Sequence, residues 1–250
     1  MSVNVNTVYQ RVQSIANKEQ RGYITPLEFN RFANQSQLEI FEQYFYDLNQ
    51  FVRIGGNDTR HADMVTGIEE KIALFEVFNT SLGGYNGATN CYDLPSALHK
   101  LSTVSYIATS GIEGTFYECE YVNKKDLKLI LTSNLTLPTT TRPIYVRQGS
   151  EINVYTGKTT SPYFTELQTN ALIEIDYIKQ PTEVTWGYVL DSNNDALYNS
   201  AASTNFELHP SEEPNLVIKI LELAGIAMKS PDVYQVADKE NIEDIQQQKQ

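Results

Sequence analysis

The stretch from Gly22 to Ile54 limits what this 250-residue chain can become more than any other part of it. Thr25 stands where a helix N-cap belongs, and Pro26 suits the first helical position. Glu28 follows where its carboxylate can reach back to the cap. Phe29, Phe32, Ala33, Ser36, Ile40, Phe41, Tyr44, Leu48, Phe51 and Val52 then recur at steps of three and four, the spacing of one helical face. The pattern predicts a single helix ending near Ile54, roughly 45 Å long at 1.5 Å per residue, and stopped by Gly55-Gly56. Its apolar surface is wider than one stripe, because Leu38, Phe45 and Tyr46 lie off the main face. Either its own domain packs on both sides, or the aromatic side at Phe41, Tyr44, Phe45 and Tyr46 is buried against another subunit, since large apolar patches mark interfaces.

Before Gly22, Val8, Val12 and Ile15 share one face with Arg11 beside it, which predicts a short amphipathic helix packing on the long one as an antiparallel hairpin arm. After Gly56, Asn57 to Asp63 reads as a loop. Ile68, Ile72, Phe75 and Phe78 give a further element, helical by Glu69-Glu70-Lys71 and extended by Val77-Phe78. From Ser81 the composition changes. Gly83-Gly84 and Gly87 punctuate a loop, and Tyr92 to Tyr198 is rich in Tyr, Thr, Val and Ile broken by Gly, Pro and Asn.

Candidate strands in that stretch are Leu101 to Ala108, Thr115 to Tyr121, Ile144 to Val146, Glu151 to Tyr155, Leu172 to Lys179 and Trp186 to Leu190. Asp191 to Asp195 links the last to a short following strand, and Leu94 to His99 reads as a helical turn. Phe206-Glu207-Leu208 reads as a final strand. Ser211 reads as an N-cap with Glu212 and Glu213 in the first turn, favourable to the helix dipole. Leu216, Val217, Ile220, Leu221, Leu223 and Ala224 then form a buried face, and Gly225 a C-cap. Ser230-Pro231-Asp232 starts one more short helix, and a polar tail follows from Lys239.

Helices, then strands, then helix predict an α+β fold. Its helical part is built from N- and C-terminal helices, with an inserted, mainly antiparallel β-domain between them. The expected divisions are 1–80 for the N-terminal helical part, 81–208 for the β-rich domain, 209–238 for C-terminal helices packing on the first part, and 239–250 for the tail.

Function classes can be narrowed by what the chain lacks. Acidic residues outnumber basic ones by 31 to 19, a net charge of -12, which argues against binding nucleic acid through its phosphates. No apolar run approaches the ~20 residues of a membrane span, and Met1 to Gln20 lacks the apolar core of a signal peptide. A soluble protein outside the usual secretory route is expected. Cys91 and Cys119 lack metal-ligand spacing and read as reduced structural thiols, with a disulfide between them as the alternative.

His61, His99 and His209 are widely separated, so surface or capping roles are expected, with His209 shaping the corner before Pro210. Asp191-Ser192-Asn193-Asn194-Asp195 starts like a calcium loop, but Ala196 and Ala202 stand where Gly and the closing carboxylate are needed, and a turn is predicted. Gly83 to Gly87 lacks the Lys-Ser/Thr of a phosphate loop, and no nucleophile elbow or Cys-His signature occurs. No catalytic pair, cofactor site or metal site is therefore expected. Trp186 reads as a core or edge anchor with Tyr188, and sugar stacking is the minority alternative.

R-G-Y-I-T-P-L-E-F-N from Arg21 to Asn30, Y-D-L-P from Tyr92 to Pro95, D-Y-I-K-Q-P before Trp186-Gly187-Tyr188, and F-E-L-H-P-S-E-E from Phe206 to Glu213 leading into K-I-L-E-L-A-G-I span nearly the whole chain. Together they resemble virion structural proteins of short-tailed phages, including marine and crAss-like phages, of the neck or tail ring and head-tail connector type. The resemblance implies a non-enzymatic, homo-oligomeric ring in the neck or tail, surrounding the DNA channel. Its partners would be itself and the portal or other neck and tail proteins, with no membrane and no sequence-specific nucleic acid. The chain would be made in the host cytoplasm and end in the virion. An acidic lining that DNA slides past agrees with this. The rival is a tail-associated carbohydrate-binding module, which needs a cleft with aromatics and paired carboxylates. A packaging enzyme would need a nucleotide motif or basic face.

Overall fold

The cap predicted at Thr25 closes in both directions. The Thr25 N–H and hydroxyl donate to the Glu28 carboxylate at 3.0 and 2.7 Å, and the Glu28 N–H donates back to the Thr25 hydroxyl oxygen at 3.3 Å. The computed structural model describes residues 2–18, 24–54, 59–83, 85–86, 91–107, 115–157, 165–166, 172–192 and 195–227. Among these are five helices: α1 (Val5–Lys18), α2 (Pro26–Ile54), α3 (Thr59–Ala73), α4 (Lys124–Thr132) and α5 (Glu213–Ala227). The expected stop at Gly55-Gly56, the helix at Ser230 and the polar tail lie outside the described residues.

The chain divides into two units, Met1–Leu74 with Pro181–Gln250, and Phe75–Gln180. The fold is α+β with an inserted β region, as the order of elements predicts. The divisions fall at 75 and 180 rather than at 81 and 208. At the first, the helical tendency of Glu69-Glu70-Lys71 holds only to Ala73, and the β-favouring Val77-Phe78 begins a strand. At the second, the extended chain after Pro181 is bound to α2, as described below.

In the first unit α2 packs against α5 and α3, and α1 packs against α5. Phe29, Ala33, Ile40 and Phe41 of α2 and Leu216, Ile220 and Ala224 of α5 are all buried. The hairpin arm expected of α1 is thus corrected. Its Val5, Val8, Val12 and Ala16 are buried while Ile15 is exposed, and Arg11 pairs with Glu213 at 2.9 Å. Its contact with α2 lies near the start of that helix, where the Tyr9 ring meets Phe29 edge-on at 4.9 Å. The start of α5 also differs. His209 rather than Ser211 is the cap, its Nδ1 accepting from the Ser211 N–H to open a 3-10 turn, Pro210–Glu212, before the helix. Gly225 lies inside α5, and Phe206 makes only a bridge to Val3.

Among the described residues the second unit holds ten strands: β1 (Glu76–Ser81), β2 (Tyr85–Asn86), β3 (Cys91–Asp93), β4 (Leu98–Ile107), β5 (Phe116–Glu118), β6 (Glu120–Tyr121), β7 (Ile144–Gln148), β8 (Glu151–Gly157), β9 (Thr165–Glu166) and β10 (Leu172–Lys179). One sheet has the order β1-β10-β4-β5 and the other β2-β3-β8-β7-β6, with β9 on β8. Pairing is antiparallel except between β6 and β7. The alternation read at Leu172 to Lys179 is obeyed, with Ile173 and Ile175 fully buried beside Val104, Ile152 and Val154. Helix α4, which the sequence pattern did not suggest, covers a second small core of Val122, Leu131, Ile144, Val146 and Tyr155. Cys91 and Cys119 are buried and not joined in a disulfide.

Candidate functional site

Three amide side chains at i, i+4 and i+7 on α2 turn a helix face into a substitute strand edge. Asn30 donates to the Trp186 carbonyl at 3.3 Å and accepts from the Trp186 N–H at 2.8 Å. Asn34 does the same with Val184, at 2.9 and 2.6 Å. Gln37 donates to the Thr182 carbonyl at 2.8 Å and accepts from the Glu207 N–H at 3.1 Å. The spacings match. Four helical residues rise about 6 Å, close to the ~6.6 Å between alternate strand residues. Thr182, Val184 and Trp186 are therefore pinned one after another along the helix.

From this anchor the chain enters a two-stranded hairpin, β11 (Tyr188–Leu190) with β12 (Ala196–Tyr198). Gly187 is required at the entry, because a Cβ there would stand 2.6 Å from the Ala202 carbonyl carbon and oxygen. Trp186 is buried under a stack of rings. Tyr9 lies parallel to it at 4.0 Å, Tyr188 at 5.9 Å, and Tyr198 is tilted at 5.8 Å. Its indole N–H donates to Asn6 at 3.1 Å. Trp186 is thus an anchor, and its faces are covered by the chain's own tyrosines rather than open to a sugar.

Beyond that anchor the hairpin is apolar and uncovered. Val189, Leu190 and Leu197 are 56%, 55% and 57% exposed, with Tyr188 and Tyr198 also at the surface. A two-stranded ribbon is marginal alone in water, and apolar residues on both faces mark a surface built to be covered. The Asp191 N–H donates to the Asp195 carbonyl at 2.9 Å to close the predicted turn.

The aromatic group predicted at the long helix separates into two kinds. Phe41 and Tyr44 are core residues of their own unit and leave no face for a second subunit. Phe45 is half-buried, edge-on to Phe41 at 5.1 Å, and Tyr46 is 62% exposed. Periodicity identifies the apolar face of a helix but not what covers it, and here α3 and α5 do so.

A cavity of about 210 Å³ lies where α2, α3 and the start of α5 meet. Lys71 Nζ is 2.6 Å from the buried Glu212 carboxylate, whose second oxygen accepts from Asn215 at 3.0 Å. The same ammonium sits 5.6 Å from the Tyr44 ring centre. Burial, with the Glu212 charge beside it, pushes the Tyr44 hydroxyl far above its ordinary range. The space is smaller than most ligand sites, and the Lys71–Glu212 pair within it ties α3 to the turn before α5.

Among the described residues no three of His, Cys, Asp and Glu come together as metal ligands, and no helix is long and apolar enough to cross a membrane. The His61 side chain lies outside the described residues, His99 is exposed on β4, and His209 shapes its corner.

The chain matches no protein-family model and no curated protein.

Among the described residues, the β11–β12 hairpin stands out as an apolar element that its own chain leaves uncovered, and the amide ladder holds the segment that leads into it. The ladder was missed in the sequence because Asn30, Asn34 and Gln37 resemble an ordinary solvated stripe; their i, i+4, i+7 spacing beside an apolar face was the only available signal.

Proposed function

We propose that this chain is a structural protein of a phage virion that assembles into a homo-oligomeric ring in the neck or tail, around the DNA channel. The observation that carries the proposal is the β11–β12 hairpin, an apolar ribbon held out on a buried tryptophan and left uncovered by its own chain. A subunit that must be covered by neighbours has this kind of surface, whereas a self-sufficient enzyme domain has little use for it. The segments that resemble ring and connector proteins of short-tailed phages support the same assignment, and the net charge of -12 suits a channel that must not hold DNA.

Reconstruction of the particle that carries this chain tests the proposal. Density for several copies around the portal axis is expected. A single copy, or copies on the capsid surface, would overturn it. The purified protein should also fail to retain duplex DNA at physiological salt, and gel-shift titration at two salt concentrations checks this.

A further inference from the structure

A ring needs two different, mutually complementary patches on every subunit, and the charges of this chain are segregated in a way that supplies them. Between Lys179 and Lys219 there is no Lys or Arg, while Glu183, Asp191, Asp195, Glu207, Glu212 and Glu213 all fall there. The hairpin lies in this stretch, and Asp191 and Asp195 stand exposed at its tip. Between Tyr121 and Glu151 the balance is reversed. Lys124, Lys125, Lys128, Arg142 and Arg147 face a single acid, Asp126. That segment contains α4.

Helix α4 buries Leu131 and packs Leu127 and Ile130 against the small core beneath it. Its outer side carries Lys125, Asp126, Leu129 and Thr132, with Lys124 and Lys128 at its flank, all exposed; Leu129 is 79% exposed, and Leu135 just beyond the helix is 93% exposed. The outer face is an apolar spot with three lysines and one carboxylate, Asp126, beside it. The hairpin is an apolar ribbon tipped by carboxylates.

Resting on the ring assembly proposed above, we infer that the β11–β12 hairpin of one copy docks on the outer face of α4 of the next. Val189 and Leu197, paired on one face of the ribbon, cover Leu129 and Leu135, while Asp191 and Asp195 meet the lysines. Charge complementarity of this kind fixes partner and orientation more than it adds affinity, which suits a contact that must form in one direction around a closed ring. The occupant is a second copy because the same chain carries both halves of the match.

The test uses cysteine pairs in the full-length protein. Cys91 and Cys119 are buried, and burial pushes the Cys119 thiol up to about 12, so the native cysteines give little background. Val189→Cys and Leu129→Cys variants are mixed under oxidising conditions at the highest soluble concentration. Mixed disulfide dimers well above the yield of either variant alone are expected. Lys124→Glu/Lys125→Glu/Lys128→Glu should cut that yield at least several-fold, and adding Asp191→Lys/Asp195→Lys on the hairpin partner should restore it.

Absence of mixed dimers, or failure of the charge swap to restore them, overturns this contact. If particles still contain a closed ring, only the contact is wrong. Val189→Cys dimers with themselves would mean symmetric packing and would overturn the contact and weaken the ring together. Duplex DNA binding that the lysine substitutions abolish, with no effect on the cross-link, would assign the α4 face to nucleic acid instead.

Discussion

Glu28 shows how one side chain can serve the whole of a 29-residue helix. Hydrogen bonds from the Thr25 hydroxyl and then from the Thr25 N–H favour its charged form and hold its pKa below the ordinary 4.5. A carboxylate whose folded pKa is depressed contributes stability above its unfolded value, and that contribution is lost as pH falls through the folded value. Glu28→Gln keeps the shape of the capping box but removes the charge. Wild type should therefore be more stable than the variant at neutral pH, with the gap closing as pH falls below about 4.5. Urea unfolding across a pH series measures this, and a gap that does not change with pH would refute it. This site was legible from sequence because every participant lies within four residues. Phe41 and Tyr44, by contrast, were legible as apolar and to be covered either by their own domain or by another subunit, and the pattern could not choose between the two because α5 lies some 170 residues further along the chain.

At the scale of elements, the amide ladder decides where the extended chain after Pro181 belongs. Val184 is buried, so removing Asn34 strands both its N–H and its carbonyl, and each buried unsatisfied group costs about 1–3 kcal/mol. Asn34→Ala should therefore destabilise the protein by about 2 kcal/mol or more. Gln35→Ala, which removes only an exposed contact to Glu39 at 2.9 Å, should cost a few tenths. Chemical denaturation of the two variants compares them directly, and equal losses would mean that water satisfies Val184 without Asn34. The i, i+4, i+7 spacing of Asn30, Asn34 and Gln37 does not by itself announce such a ladder, because a polar stripe on a helix looks the same whether it faces water or a strand. Helix α4 was missed for another reason. It is nine residues long, has no side-chain cap at Asn123, and sits among strands, so its period is too short to stand out.

At the scale of the molecule, the interleaving of the two units gives the C-terminal helix a large effect on the N-terminal ones. Ending the chain before Ser211 would remove Leu216, Val217, Ile220, Leu221 and Ala224 from the core of the first unit. It would also take Glu213 from Arg11 and Glu212 from Lys71. Full burial of each large apolar side chain is worth roughly 1.5–3 kcal/mol, and four of them together rival the 5–15 kcal/mol that holds a whole domain folded. The truncated chain should lose the helical signal of α1, α2 and α3 along with that of α5. The inserted unit draws its two cores entirely from its own residues, so it should stay folded. Cys119 reports on it, because a buried thiol held protonated reacts slowly with alkylating agents. The expected outcome is a collapse of far-ultraviolet helical dichroism with Cys119 still protected. An unchanged melting curve would mean that α2 and α3 do not need α5, and rapid alkylation of Cys119 would mean that the inserted unit depends on the helical one for its fold.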